Sequence, residues 1–157
     1  MSRPGAVLAA RIRTDLSELA SLVDRAKHGW ERAKSRDDDY YLDGVALNLH
    51  GFYSGLEKIF EKIAATIDES VPTAANWHQE LLNQMCMEIP EVRPAVISEE
   101  VRDLLEDYRG FRHVVRNIYT FHLNPEKMER LISKMDLVQE KLTVELMSFA
   151  GFLLESD

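Results

Sequence analysis

Leu8, Ile12, Leu16, Leu19, Val23, Ala26 and Trp30 follow one another at steps of four, four, three, four, three and four. That spacing lays one apolar stripe along a helix, with Arg, Asp, Glu and Lys left on the opposite face, and it predicts a helix from Ala6 to about Lys34. A second stripe runs through Leu42, Val45, Leu49, Phe52, Leu56, Ile59 or Phe60, Ile63 and Ile67 and predicts a helix from about Asp38 to Ile67. The acid run Asp37-Asp38-Asp39 stands at its start, where the positive end of the helix dipole favours negative charge. Gly44, Gly51 and Gly55 lie inside this helix. Each costs about 1 kcal/mol against Ala, so close approach of a neighbouring helix is the expected reason for them.

Asp68 to Pro72 ends the second helix. A short third helix fits Asn76 to about Met87, with Trp77, Leu81, Leu82 and Met85 inward. Pro90 and Pro94 bracket a loop, after which Ser98 is a good N-cap and Glu99 and Glu100 suit a first turn. The fourth helix then carries Val101, Leu104, Leu105, Tyr108, Phe111, Val115 and Ile118 inward, to about Tyr119 or Phe121. Asn124-Pro125 stops it and starts the fifth, Asn as N-cap and Pro at the first helical position. That last helix continues to about Leu154 through Met128, Leu131, Ile132, Met135, Val138, Leu142, Leu146, Phe149 and Leu153. No useful strand-type alternation, internal repeat or low-complexity tract interrupts the series. The expected fold is all-α: an antiparallel up-down bundle of four long helices plus one short helix, a single domain over residues 1–157.

Composition narrows the class. At 157 residues, 45% hydrophobic and 29% charged, the chain is long enough to bury a core without disulfides or metals. The lone Cys86 rules out an internal disulfide and any zinc-type cysteine pair; between Met85 and Met87 it reads as a buried filler. Arg11 and Arg13 interrupt any signal-peptide core, and no apolar run reaches the roughly 20 residues that span a bilayer. A cytoplasmic protein with no membrane association is expected. The formal net charge of −8 argues against broad coating of nucleic acid, but not against one basic site on an acidic body.

Such a site is visible. From Tyr108 to Pro125 the chain holds Arg109, Arg112, His113, Arg116 and His122 and no acid. Arg109, Arg112, His113 and Arg116 fall at i, i+3, i+4 and i+7, one face of the fourth helix, opposite its apolar stripe. Like charges at such spacing mildly oppose the helix, whereas guanidinium groups grip phosphate oxygens two at a time. Pairing of these arginines with acids on neighbouring helices is the structural alternative. His122 adds a group that titrates near neutrality. With an arginine to stabilise a pentacoordinate phosphorane, it suffices for metal-free cleavage of RNA by in-line attack of the 2′-hydroxyl. On a regular helix Arg116 and His122 point about 240° apart. Either the last turn unwinds or the two meet across a subunit interface.

Arg116-Asn117-Ile118-Tyr119-Thr120-Phe121-His122 resembles the defining motif of HEPN-domain proteins: Arg, a polar residue, a short gap, then His. Tyr40 to Glu57 (YYLDGVALNLHGFYSGLE) and Tyr108 to Asn117 (YRGFRHVVRN) resemble the HepT-like branch of that family. The resemblance covers most of the chain. It implies a helical-bundle toxin of a toxin–antitoxin pair: a metal-independent endoribonuclease, without cofactor, acting on RNA as a homodimer whose two motifs form one composite cleft. It also implies an MNT-type nucleotidyltransferase antitoxin as partner, which could extend the homodimer into a larger hetero-oligomer. By that carry-over Arg116 stabilises the scissile phosphate, His122 is the general acid/base and Asn117 orients one of them, while Arg109, Arg112 and His113 bind phosphate. The alternative is a non-catalytic HEPN module that binds a nucleotidyltransferase, a nucleotide or RNA; a purely structural helical adaptor is a third reading.

This sequence departs from the better-known HepT motifs in two ways. Five residues, not four, separate Arg from His, and Asn124 stands where a tyrosine follows the His by two positions. In some of those systems the antitoxin adenylylates that tyrosine; here Tyr119 is the nearby candidate for modification. His50 and Tyr53 are read as packing or capping groups, His78 as surface, His28 as part of an exposed turn, and Trp30 and Trp77 as core. No metal-binding constellation and no glycine-rich phosphate loop is present in the sequence.

Overall fold

Each apolar stripe becomes the buried face of one helix. A computed structural model describes residues 2–116 and 123–155, with Arg116 described by its backbone alone. The described elements are α1 (Arg3–Arg36), α2 (Tyr40–Ile63), α3 (Trp77–Met85), α4 (Glu99–Arg116) and α5 (Pro125–Glu155). The fold is an all-α helical bundle; among the described residues the only β feature is an isolated bridge between Ile89 and Arg93. On α1, Leu8, Ile12, Leu16, Leu19, Val23 and Ala26 are all buried, and Trp30 packs at the edge of the same core. On α2 both Ile59 and Phe60 are buried.

Side-chain pairs fix the arrangement. Lys62 of α2 faces Asp15 of α1, Lys27 of α1 meets Asp136 of α5, and Lys134 of α5 meets Asp107 of α4. Helix α1 therefore lies between α2 and α5, and α4 lies between the same two on the other side, a closed ring of four antiparallel neighbours. The short α3 packs on α2 and α4.

The boundaries follow from local chemistry. Asp37 ends α1 in the left-handed region at φ 47°, a conformation that Asp tolerates better than most residues. The Asp38 carboxylate then accepts the Tyr40 backbone N–H at 3.0 Å, so the acid run does serve the start of α2. Ser98 caps α4, its Oγ accepting from the Val101 N–H at 3.2 Å, and is itself held by Glu145 of α5. Asn124 Oδ1 accepts the N–H groups of Glu126 and Lys127 at 3.0 and 3.3 Å and caps α5. A residue at this position is thus committed to starting a helix.

The predicted second helix departs from regular geometry near its end, where Ala64–Asp68 form a π-helical turn. The turn carries Asp68 onto Arg93, and both side chains are almost wholly buried. Two parallel hydrogen bonds join them. Arg93 also donates to the carbonyls of Met87, Pro94 and Gln84, tying the loop after α3 to the end of α2.

The glycines of α2 divide. A Cβ on Gly55 would stand 3.1 Å from Leu19 Cδ2, and one on Gly51 3.7 Å from Leu22 Cδ1, as expected for close approach of α1. Gly44 is different: a Cβ there would meet nothing within 4 Å, so helix approach does not explain it. Gly44→Ala is expected to stabilise the protein by about 0.5–1 kcal/mol, whereas Gly55→Ala is not. Paired urea melts test this, and equal effects at the two positions would contradict it.

Two phenols are buried in this core. Burial pushes the ionisation of Tyr53 and Tyr108 well above the ordinary tyrosine range, and Tyr108 donates its hydroxyl to the Leu131 carbonyl at 2.6 Å. Their contribution to stability is constant below about pH 10. Above it the unfolded chain sheds phenolic protons that the folded chain keeps, so stability falls as pH rises. Two of the five tyrosines are then expected to ionise only as the chain unfolds. Phenolate absorbance followed beside circular dichroism checks this; a fully folded chain with every phenol ionised would refute it.

Candidate functional site

The basic face lies on the C-terminal half of α4, against α2. Arg109 is partly exposed and pairs with Glu106 one turn earlier, at 2.9 Å from Nε and 2.7 Å from Nη2. Arg112 points to α2, where its Nε donates to Ser54 Oγ at 2.7 Å and its Nη2 stands 4.0 Å from Glu57 Oε1. The Ser54 bond engages one of the five N–H donors that a guanidinium carries. His113 is exposed. Arg109 and Arg112 are therefore met by acids, one from the preceding turn of α4 and one from α2, as the structural alternative anticipated. The tract from Tyr108 to Pro125 is acid-free in sequence but not in space.

Glu57 is the buried centre of this arrangement. It is 3% exposed and is the one charged residue among the buried positions of α2. Its second oxygen, Oε2, lies 2.7 Å from His78 Nδ1. The His78 ring stacks on Trp77 at 3.6 Å between centroids, and its side chain is 25% exposed. The expectation of a surface histidine is corrected accordingly: Trp77 covers one ring face and Glu57 holds one ring nitrogen. A buried carboxylate is costly unless paired, and here it is shared by an imidazole and a guanidinium from two different helices. Ser54, Glu57 and His78 thus fix where Arg112 sits. Tyr53 lies beside them: burial raises its pKa first, and Glu57 raises it further, while Arg109 and Arg112 pull it down.

Sequence reading did not single out Ser54 or Glu57. The available signal was a charged residue at a core-edge position of α2, between the buried Leu56 and Ile59. His50 shares that face with Ser54 and Glu57 at i, i+4 and i+7, and it is half-buried. The side chain of Arg116, together with Asn117, Tyr119 and His122, lies outside the described residues. Arg109, Arg112 and His113 are brought together on one helix, and ion pairs anchor Arg109 and Arg112.

A family model described as HepT-like protein matches residues 44–153. The chain belongs to the HepT-like family. No curated protein and no solved structure gives a significant match. The matched stretch of this HepT-like protein takes in most of α2, all of α3 and α4, and α5 to Leu153; it leaves the whole of α1 outside. Membership makes this a HEPN-type protein, and both helices that form the anchored arginine site belong to the matched part. Among the described residues of this HepT-like bundle no helix is long and apolar enough to cross a membrane. None of its described His, Cys, Asp and Glu residues form a group of three or more placed to hold a metal ion.

Proposed function

We propose that this HepT-like chain is the ribonuclease toxin of a toxin–antitoxin pair, cutting RNA without metal through Arg116 and His122 at a homodimer interface. The observation that carries the reading is the Arg-Asn…His motif itself, which starts at the last residue of α4 inside the family-matched stretch. The geometry next to it supports the reading. Arg112 is held one turn before the motif by Ser54 and Glu57, so a cation stands fixed beside the place where phosphate would bind. An antiparallel register that pairs Ser54 with Arg112 brings His50, four residues back, level with the backbone of Arg116, four residues on.

In this mechanism His122 takes the proton from the ribose 2′-hydroxyl, whose oxygen attacks the adjacent phosphorus in line. Arg116 stabilises the charge that gathers on the phosphorane, and Asn117 orients one of the two. The P–O5′ bond breaks, the leaving oxygen takes a proton, and the products are a 2′,3′-cyclic phosphate and a 5′-hydroxyl. Arg112, Arg109 and His113 grip the flanking phosphates. The partner is an MNT-type nucleotidyltransferase antitoxin, with Tyr119 as the modification site because Asn124 has no hydroxyl to adenylylate and serves instead to cap α5.

The test is the chemistry of the ends. RNA incubated with the purified protein in excess chelator is expected to carry 2′,3′-cyclic phosphate and 5′-hydroxyl termini. An intact RNA under those conditions leaves the alternative, a non-catalytic module that binds RNA, nucleotide or the nucleotidyltransferase, to which the acid partners of Arg109 and Arg112 are equally suited.

A further inference from the structure

A second basic and aromatic cluster lies on the other side of α2, where α1 and α2 form a cleft of about 770 Å³. Arg25, His28, Gly29, Glu31 and Arg32 line it from α1, and Tyr40, Tyr41, Gly44 and Asn48 from α2. We infer that this cleft binds single-stranded RNA, with an unpaired base on Tyr40 and Tyr41 and the flanking phosphates on Arg25 and Arg32.

Arg25 and Arg32 are exposed, and neither has an ion-pair partner among the described residues, in a chain with 27 acids to 19 Lys and Arg. They stand two helical turns apart, about 10.5 Å along the axis, a span that one nucleotide and both of its phosphates can bridge. Tyr40 is 80% exposed, so burial in the core does not account for an aromatic there. The Arg36 guanidinium lies 6.0 Å from the centre of the Tyr41 ring, which holds that ring in place beside it. Asn48 donates its amide to the Gly44 carbonyl at 2.9 Å, which leaves its side-chain oxygen to accept from a base edge. Gly44, which helix packing does not account for, keeps the wall beside Tyr40 and Asn48 clear. A cationic groove with aromatic platforms is how single strands are held without reading a sequence, because every base has a face to stack. Glu31 sets the limit: a lone acid on the wall favours a base with exocyclic amino groups over a second phosphate.

The site shares its ligand class with the proposed nuclease, but not its residues, and all of α1 lies outside the family-matched stretch. The experiment keeps the two apart. Fluorescence anisotropy is read on a labelled, unstructured RNA of about ten nucleotides, in chelator, with the His122→Ala chain so that nothing is cut. Combining Arg25→Ala with Arg32→Ala is expected to weaken binding at least about tenfold and to reduce the slope of log Kd on log salt by about 1.4, roughly 0.7 per phosphate contact. Tyr40→Ala is expected to weaken it about tenfold with the slope unchanged, and Tyr40→Phe to restore it. Affinity and slope unaltered in these variants overturn the inference even where the parent protein cuts RNA. So does binding that responds to them only with a protein partner and never with RNA. Binding that responds as expected in a protein that never cuts RNA supports the cleft and removes the nuclease.

Discussion

His122→Ala is expected to lower metal-free RNA cutting by about 10²–10⁴-fold, the usual worth of a positioned acid/base. Arg116→Ala is expected to lower it by about 10²–10³-fold, the cost of removing one stabiliser of transition-state charge. Both variants should keep the helical circular dichroism of the parent, since every described core residue is retained in them. The sharper result comes from mixing them. On the proposed reading Arg116 of one subunit serves His122 of the other. A dimer with one Arg116→Ala chain and one His122→Ala chain then holds one intact pair and one doubly damaged pair. Two inactive proteins, exchanged at equal amounts, should recover about a quarter of the parent rate. A pair acting within one chain recovers nothing on mixing. Cutting that survives both single substitutions removes these residues from the reaction altogether.

Arg93→Ala is expected to be the most damaging single change to stability, at about 3–5 kcal/mol. The substitution leaves the Asp68 carboxylate buried without its partner, because both side chains are at most 1% exposed. It also strips the carbonyls of Met87, Pro94 and Gln84 of the N–H groups that reach them. For a chain of this size the loss corresponds to about 10 °C or more in Tm. Arg93→Lys keeps the charge but not the fork, and it should recover only part of the loss. Asp68→Asn should fall near Arg93→Ala, since it leaves the buried cation uncompensated. A denaturation midpoint for Arg93→Ala within experimental error of the parent would show that the pair contributes nothing net.

The helices were legible because each carries its period openly. The stripe from Leu8 to Ala26 has no polar interruption, and all six positions are buried. Ser98 and Asn124 declared two helix starts through side chains that cap the backbone they precede. What could not be read depends on partners distant in sequence. The end of α2 winds into a π turn because Asp68 must reach Arg93, 25 residues on, and no local pattern announces that. The anchor of Arg112 was missed for the same reason: Ser54 is 58 residues away, and the acid that answers the basic face is on another helix. His78 looked like surface because its sequence neighbours, apart from Trp77, are polar, while the group that holds it lies on α2. The family motif was legible as residues, though the side chains that complete it lie outside the described part of the structure.

The ring order of the helices has a consequence for how the protein comes into being. Helices α1 and α2 are joined by three residues, so they can zip together early, with little chain entropy lost in closing the loop. Helix α1 must wait for α5, which leaves the ribosome after the other four helices, before its second side is covered. Helix α4 is in the same position, its Tyr108 hydroxyl bonded to the α5 backbone. A chain still in synthesis thus exposes the apolar flanks of α1 and α4 and has not yet set the basic face in place. Shortened chains that lack α5 become substrates for proteases and chaperones, not weakened copies of the finished protein.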